Sequence, residues 1–590
     1  MNALFTSLVT GCLALAATLS ASAGNWPGWR GPDGTGVSTE KNLPLKWSAT
    51  ENVRWRVELP GPGNSSPIVW GDRVFVTQAV SSENRRTVMC FDRATGKLLW
   101  QSGVTYTDKE PTQRSNPYCA ATPVTDGERV IASFGSAGLF CFDFAGKEVW
   151  RREFGKMSHV FGNASSPVLA GDLCLLNFGP DEKARLIAVT KRDGKTVWEI
   201  DPPKIDPSEQ QPMGGPGGGP GAGGGGRGGN AGIGTPIAAP MFAQADKNAD
   251  KKLSKDEFTA LAEVWFDRLD TDKAGKLSSQ QFAEKFYDAM PPREGEGADG
   301  QRRGPSRTTA PAFFGVADTD KDGSLTRAEL KATFAKWFDQ WDAAKSAALN
   351  EDQFRDGLNA ALPRSQSGGG GGQGGGGGRG PAGGTWSTPV LVRAEGRDEL
   401  IMAFPNRLVG LDPKTGQQLW LSKGIGSTVY TTPLWGEGAL VAASGGPSGG
   451  SGVAVKPGGS GDVTESRRLW RLERVKSAIG SGVVHEGHIY AIAQDGLVEC
   501  LDLKTGAKLW EERLKGPTSR NSSWSSMLLA EGKIYVPNQS GDVFVLRAAP
   551  KFEVLATNSV GEPSNASLAA SAGELFLRTD KALWCFGNAK

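Results

Sequence analysis

"CLDLKTGAKLW", Cys500 to Trp510, decides how this chain folds, because the phrase keeps returning. Close versions are "CFDRATGKLLW" ending at Trp100, "CFDFAGKEVW" at Trp150, "VTKRDGKTVW" at Trp198 and "GLDPKTGQQLW" at Trp420. "SRRLW" at Trp470 keeps only the ending, and "LRAAPKFEVL" at Leu555 lacks the tryptophan. The tryptophans stand 50 and 48 residues apart up to Trp198, then 50 and 40 apart from Trp420 to Trp510. A period of 40 to 50 residues marks a stacked or circular array. Each unit reads as four short strands, with a turn such as "WGDR" (70–73) or "TDGER" (125–129) between the first two. In Asp-x-x-Thr-Gly the Asp side chain binds local backbone donors and the glycine takes positive φ, which reverses the chain before the tryptophan. One four-stranded unit cannot cover both faces or hide its edges, whereas a ring of units does both. The closing tryptophan is expected to wedge between neighbours.

The count comes to eight. After Leu555 the chain offers strands over 567–586 but no closing strand, and "NVRWRVEL" (52–59) can supply it, so that both chain ends make one joint. A hydroxyl also recurs at the start of each innermost strand: Ser66, Thr122, Ser166, Thr388, Thr432, Ser481, Ser526 and Ser567. These hydroxyls either line an axial funnel for a small polar ligand or satisfy backbone groups where the strands begin.

These D-x-x-T-G-K-x-x-W phrases resemble the quinoprotein-like (PQQ-like) repeats of eight-bladed β-propellers. That family includes the quinoprotein alcohol dehydrogenases and the outer-membrane assembly lipoprotein of the BamB type. The resemblance covers most of 24–199 and 385–590. The opening "NWPGWRGPDGTGVS" (25–38) is also similar to the start of exported bacterial members of unassigned role. It implies an all-β eight-bladed propeller and leaves the chemistry open.

The 222 residues between Trp198 and Trp420 hold one repeat and a large insertion. Of 81 glycines in 590 residues, many fall in tracts at 214–234 and 368–384, which cannot bury a core and read as tethers. The expected order is linker over 201–240, a small α-helical EF-hand module over 241–362, and linker again over 363–384. Inside the module, "DTDKDGSLTRAE" meets the EF-hand calcium pattern at every position. Asp318, Asp320 and Asp322 supply side-chain oxygens, and Gly323 makes the sharp turn. Ser324 offers its carbonyl, Thr326 holds the ninth position, and Glu329 closes the shell with two oxygens. "DKNADKKLSKDE" offers Asp246, Asn248, Asp250, the Lys252 carbonyl, Ser254 and Glu257. There Lys251 replaces the glycine and must take a strained backbone, so weaker binding is expected.

Each of these loops is followed 24 residues on by a degenerate one. The loop from Asp270 has Ala274 and Gln281 at positions 5 and 12, and that from Asp342 has Ala344 and Gln353 at positions 3 and 12. Glutamine cannot supply a bidentate carboxylate, so the degenerate loops are expected to serve as structural partners in a duplicated hand pair.

Composition bounds the partners. Lys and Arg number 66 against 64 Asp and Glu, a formal charge of +2, which gives no drive toward nucleic acid. Residues 1–29 carry no charged side chain, and the apolar run Leu4–Leu19 before "ASA" reads as a signal peptide cleaved after Ala23. "VTGC", ending at Cys12, fits the lipoprotein pattern, but apolar residues continue past it and lipid anchoring is not expected. No later run is long enough to span a bilayer, so an exported, soluble monomer is expected. Cys90, Cys141, Cys500 and Cys585 share one apolar repeat position and read as core rather than disulfide. Cys119 and Cys174 stay undecided. His485 and His488 in "VHEGHI" read as turn residues, and "GGRGG" (225–229) as linker.

Two functions follow. One is a non-catalytic scaffold for a protein, glycan or envelope partner, carrying calcium in its side module. The other, implied by the resemblance, is a PQQ-dependent dehydrogenase of alcohols or sugars. That chemistry needs calcium on the axis, an Asp base beside the quinone and an aromatic floor. The sequence yields no such axial carboxylate set and no adjacent cysteine pair. The scaffold reading leads, and no catalytic residue is assigned.

Overall fold

The Asp-x-x-Thr-Gly turn makes both the reversal and the joint to the preceding unit. Asp92 Oδ1 accepts from the Thr95 N–H at 2.9 Å and from Thr95 Oγ1 at 2.6 Å, and Asp502 holds Thr505 in the same way. Gly96 follows at φ +72°, where an L side chain is strained, and a Cβ there would lie 2.7 Å from the Trp55 ring. The glycine is therefore a seat for the tryptophan of the blade before it. Trp100, Trp150, Trp198, Trp470 and Trp510 donate their indole N–H to a backbone carbonyl in the next blade's turn, at 2.9–3.2 Å.

The computed structural model describes residues 24–203 apart from 114, 160 and 182, then 235–289, 309–342, 345–362, 384–445, 449–517 and 522–588. The expected signal peptide and nearly all of the two glycine tracts lie outside these. The chain divides into two compact units, Met1–Glu209 with Gly376–Lys590, and Gln210–Gly375.

The first unit is an eight-bladed β-propeller. Blades 1 to 3 occupy 68–105, 124–152 and 168–200; blades 4 to 7 occupy 390–423, 434–475, 483–513 and 528–559. Blade 8 takes three strands from 569–587 and its outer strand, Val53–Glu58, from the other end of the chain. Trp55 on that strand donates to the Arg93 carbonyl at 2.7 Å, so the closing joint repeats the others. In all eight blades the register slips one residue before the tryptophan position, as at Val149 between Glu148↔Phe142 and Trp150↔Cys141; in blade 7 the skipped residue is Leu555, so Ala556 and not the expected Leu555 holds that position. A bulge there twists each exposed outer edge and spoils it as a template for pairing with another chain.

One joint differs from expectation. Trp420 donates to Glu399 Oε2 of its own blade at 2.7 Å, and its ring covers Gly410, where a Cβ would lie 2.3 Å from the indole. Blade 5 lacks the Asp-x-x-Thr-Gly turn, so no glycine seat awaits this tryptophan. Gly461–Asp462 from blade 5 pairs parallel with Trp420–Leu421 instead. Gly410 stands where other repeats place cysteine, because here the indole needs the space.

The hydroxyls form a second joint, nearer the axis. Backbone N–H groups of Ser66, Thr122, Ser166, Thr432, Ser481, Ser526 and Ser567 each donate to the hydroxyl of the next blade, at 2.8–3.0 Å, and Ser567 reaches Ser66 to close the circle. At the blade 4–5 junction Thr432 Oγ1 accepts the Trp29 indole N–H at 3.1 Å. These groups satisfy backbone donors and do not line a funnel.

All six cysteines of the described residues are free and buried, including Cys119 and Cys174. Burial pushes the Cys90 and Cys141 thiols up to about 12 and Cys500 up to about 11. A thiol-reactive dye at pH 8 should therefore label none of the six in native protein and all six in guanidinium; fast native labelling would contradict this packing.

The second unit is helical: α1 Thr235–Ala245, α2 Lys255–Leu269, α3 Ser279–Lys285, α4 Thr309–Ala317, α5 Arg327–Trp341 and α6 Glu351–Ala361. The first helix begins at Thr235, inside the stretch expected to be linker up to 240. Each loop ends in a capping box: Ser254–Glu257, Ser278–Gln281, Thr326–Glu329 and Asn350–Gln353. Loop position 9 is thus the N-cap and position 12 the third helical residue.

The expected pairing of functional with degenerate loops occurs, but across the duplication. The 24-residue offset puts the first two loops at opposite ends of α2, whose 15 residues span about 22 Å. They cannot meet. Instead α2 and α5 run antiparallel, with Lys255 bound to Asp339 and Arg327 to Asp267 at the two ends. Leu253–Ser254 then pairs with Ala348–Leu349, and Lys276–Ser278 with Ser324–Thr326. Phe258 stacks on Phe334 at 4.6 Å between them, within a core that also buries Trp265, Phe313, Trp337 and Phe354.

Candidate metal centre and the propeller axis

All four loops have left-handed residues at positions 4 and 6: Ala249 and Lys251, Lys273 and Gly275, Lys321 and Gly323, Lys345 and Ala347. Lys251 takes φ +60°, the strained value its position demands, at roughly 1–2 kcal/mol. The loops differ in what their acidic oxygens do.

In the loop from Asp318, carboxylate oxygens of Asp318, Asp320 and Asp322 lie within 4.8 Å of one another. Asp318 is 8 % exposed; its Oδ2 accepts from the Gly323 N–H at 3.1 Å, while its buried Oδ1 has no hydrogen-bond partner. A buried anionic oxygen without a donor is costly unless a cation completes it. Asp320 Oδ1 accepts from Asp322 N–H and Asp322 Oδ1 from Ser324 N–H, leaving one oxygen of each facing outward from these bonds. The Asp322 N–H draws the Asp320 pKa down, but burial and the charges of Asp322, Glu329 and Asp318 leave it above the usual carboxylate range. Glu329 spans the loop: Oε1 accepts from Thr319 N–H at 3.1 Å, and Oε2 from Thr326 N–H and Oγ1 at 2.9 and 2.8 Å. Ser324 opens the short paired strand, which fixes the carbonyl at position 7.

In the loop from Asp246, both carboxylate oxygens of Asp246 are engaged, by Asp250 N–H at 3.2 Å and Lys251 N–H at 3.0 Å. Asn248 accepts from Asp250 N–H, Asp250 from Lys252 N–H, and Glu257 from Ser254 N–H and Oγ. This loop has the shape of the other without its orphaned oxygen.

In the degenerate loop from Asp270 an amide spans the loop. Gln281 Nε2 donates to Asp272 Oδ2 at 3.1 Å, so position 12 bonds position 3 directly. Asp270 has both oxygens filled by Ala274 and Gly275 N–H, and Asp342 by Ser346 and Ala347 N–H. In the loop from Asp342, residues 343 and 344 lie outside the described residues. The amide lock had no signal in the sequence beyond the glutamine itself.

On the propeller, the inner edges of the inner strands face the axis, and the chain's own N-terminal segment pairs with them. Trp26 exchanges both backbone bonds with Val69 of blade 1, Thr125 N–H of blade 2 donates to the Pro27 carbonyl, and Val37–Ser38 pairs parallel with Leu529–Ala530 of blade 7. Arg30, 3 % exposed, donates to the carbonyls of Gly34 and Thr35 in its own turn and to Ser481 and Gly482 of blade 6. Two positions before each ring hydroxyl, the half-buried residues are Trp386, Tyr430, Ile479 and Trp524 on blades 4 to 7, and Asn64, Ala120, Ala164 and Asn565 on the others. None is charged. The charged groups nearest these positions are committed within the protein: Arg86 pairs with Glu110 at 2.6 Å in a small pocket that Ala120 and Asn163 also line, and Arg578 is bonded to Ser65, Thr77 and Gln78. His485 and His488 face each other across the Glu486–Gly487 turn.

Fold and loops together define an eight-bladed propeller with an EF-hand module inserted between blades 3 and 4. The family described as outer membrane protein assembly factor BamB matches residues 31–152, 84–213, 379–512 and 406–583, more than half of the chain, and the chain belongs to that family of PQQ-like repeat propellers. The EF-hand family matches residues 312–335. No curated protein matches the chain. Among solved structures, BamB from Moraxella catarrhalis is 11 % identical, with 91 % of this chain and 97 % of that one covered, at a TM-score of 0.44. A europium-containing methanol dehydrogenase is 11 % identical over 96 % and 98 % (TM-score 0.40). The quinohemoprotein alcohol dehydrogenase from Comamonas testosteroni is 12 % identical over 97 % and 82 % (TM-score 0.37). Likenesses this distant do not speak to function. Among the described residues no helix is long and apolar enough to cross a membrane.

Proposed function

We propose that this protein is an exported scaffold: a propeller that binds an envelope partner, protein or glycan, and carries a calcium-binding module. Calcium is held by Asp318, Asp320, Asp322, the Ser324 carbonyl and Glu329, with Thr326 at the ninth position. The loop of Asp246, Asn248, Asp250, Lys252, Ser254 and Glu257 binds it more weakly. The observation that carries the calcium assignment is the donorless Asp318 Oδ1 beside two further carboxylates. An ion there supplies charge neutralisation and ties position 1 to position 12, which orders the module. Export, with cleavage after Ala23, is supported by the apolar leader and by the envelope setting that the family's name implies.

The dehydrogenase reading is weaker, since Arg30 is committed to four carbonyls and Arg86 to Glu110, which engages these cations within the protein. Adding PQQ and calcium to purified protein should leave no bound chromophore after desalting and no dye-linked alcohol oxidation. Either signal would replace the scaffold reading with the enzymatic one.

A further inference from the structure

We propose that the rim of the propeller binds a neutral saccharide on an aromatic ledge made by His159, Phe161, Trp386 and Tyr430. The Trp386 ring lies 4.9 Å from His159, 6.4 Å from Phe161 and 5.4 Å from Tyr430, so four rings form one connected surface across blades 3, 4 and 5. Phe161 is 53 % exposed and the other three are half-buried, where the hydrophobic effect alone would cover them. Their orientation is fixed from behind. Trp386 donates Nε1 to the Gly162 carbonyl and its backbone N–H to Val429, each at 2.9 Å, and Asn116 Nδ2 holds the Phe161 carbonyl at 2.6 Å.

The chemistry around the ledge selects the ligand. Aromatic faces carry negative quadrupole density and attract the polarised C–H groups on one face of a sugar ring, as they attract another ring's edge. Two polar groups at hand are neutral and open: the Tyr430 hydroxyl has no bond among the described residues, and the buried Asn163 Nδ2 has no partner, while Arg86 and Glu110 of the pocket behind Asn163 are paired with each other at 2.6 Å. Burial lowers the His159 pKa, so the imidazole is neutral at neutral pH. Asp181, whose charge acts on it, is occupied by the Ser158 and Lys183 N–H groups. A ledge with rigid rings and neutral donors, beside an Arg86–Glu110 pair that is buried and neutralises itself, suits a chain of sugar hydroxyls. The Arg86 guanidinium is taken up by Glu110 and the Phe134 carbonyl, so it is not offered to an anionic ligand or a charged peptide.

The site is independent of the calcium module and its test is separate. The chain from residue 24 is titrated, in calcium and in chelator, with hexamers of β-1,4-glucose and β-1,4-N-acetylglucosamine, following tryptophan fluorescence and heat. A proline-rich peptide and a galacturonate hexamer serve as comparison ligands. Saturable binding of a neutral hexamer is expected, weakened roughly tenfold or more by Phe161→Ala and by Trp386→Ala and retained in Glu329→Gln. Phe161 is exposed enough that its truncation leaves the fold intact, which covers a Trp386 variant that does not fold. Failure of both neutral hexamers, equal binding by Phe161→Ala, or binding only of the peptide or galacturonate would overturn the proposal.

Discussion

Glu329→Gln should lower the calcium affinity of the Asp318 loop by roughly a hundredfold, about 2.7 kcal/mol, and should do so without unfolding the module. The natural variants of this chain explain why. Gln281 and Gln353 already occupy position 12 in the degenerate loops, where they keep the capping box and the helix start intact. The same amide at 329 would keep the bonds to Thr326 and lose one bidentate carboxylate. It could also donate across the loop, as Gln281 does to Asp272, and so compete with the ion. Calorimetry should show one stronger and one weaker site in the wild type, the stronger being lost in the variant. Hydrogen exchange on calcium addition should slow in 318–329 and in 276–278, its strand partner, with the propeller unchanged. Unchanged heats in the variant would remove Asp318–Glu329 as the principal site.

Much of this was legible in the sequence because it rests on local chemistry. Turn residues, closing tryptophans and the eight hydroxyls each recur at one position per unit, and a ring follows from edges that must be hidden. The EF-hand loop is legible for the same reason: twelve consecutive residues carry its whole ligand set. What escaped depends on residues distant in the chain. The crosswise loop pairing needs the length of α2 and the antiparallel approach of α5, and the 24-residue offset by itself shows only a duplication. Trp420 looks like its fellows, and only the missing turn in blade 5 leaves it without a seat. Whether the hydroxyls lined a cavity or bonded their neighbours required the inter-blade geometry. Arg30 was invisible as a keystone, since its acceptors Ser481 and Gly482 lie more than 450 residues away. The aromatic ledge likewise joins His159 and Phe161 to Trp386 and Tyr430 across the insertion.

Arg30→Ala should destabilise the propeller by about 4 kcal/mol, the largest effect expected from a single change outside the tryptophan joints. The guanidinium fills a buried site and gives its donors to four carbonyls, and no carboxylate pairs with it among the described residues. Burial lowers its pKa, yet a planar cation bonded on several sides stays protonated at neutral pH. Removing it strands carbonyls of Ser481 and Gly482 beside the axis and frees the turn over 30–36 from blade 6. For a ring of about 400 residues, unfolding entropy near 2.1 cal/mol/K per residue converts that loss to a fall in Tm of about 5 °C. Arg30→Lys should recover less than half, because one ammonium with three donors cannot serve a fork of four acceptors. Arg30→Met restores volume and no donor, and should resemble the alanine variant. If calorimetry found Arg30→Met as stable as the wild type, the carbonyls would not need the cation. The N-terminal segment would then be held in the bore by its tryptophans and strand pairing alone.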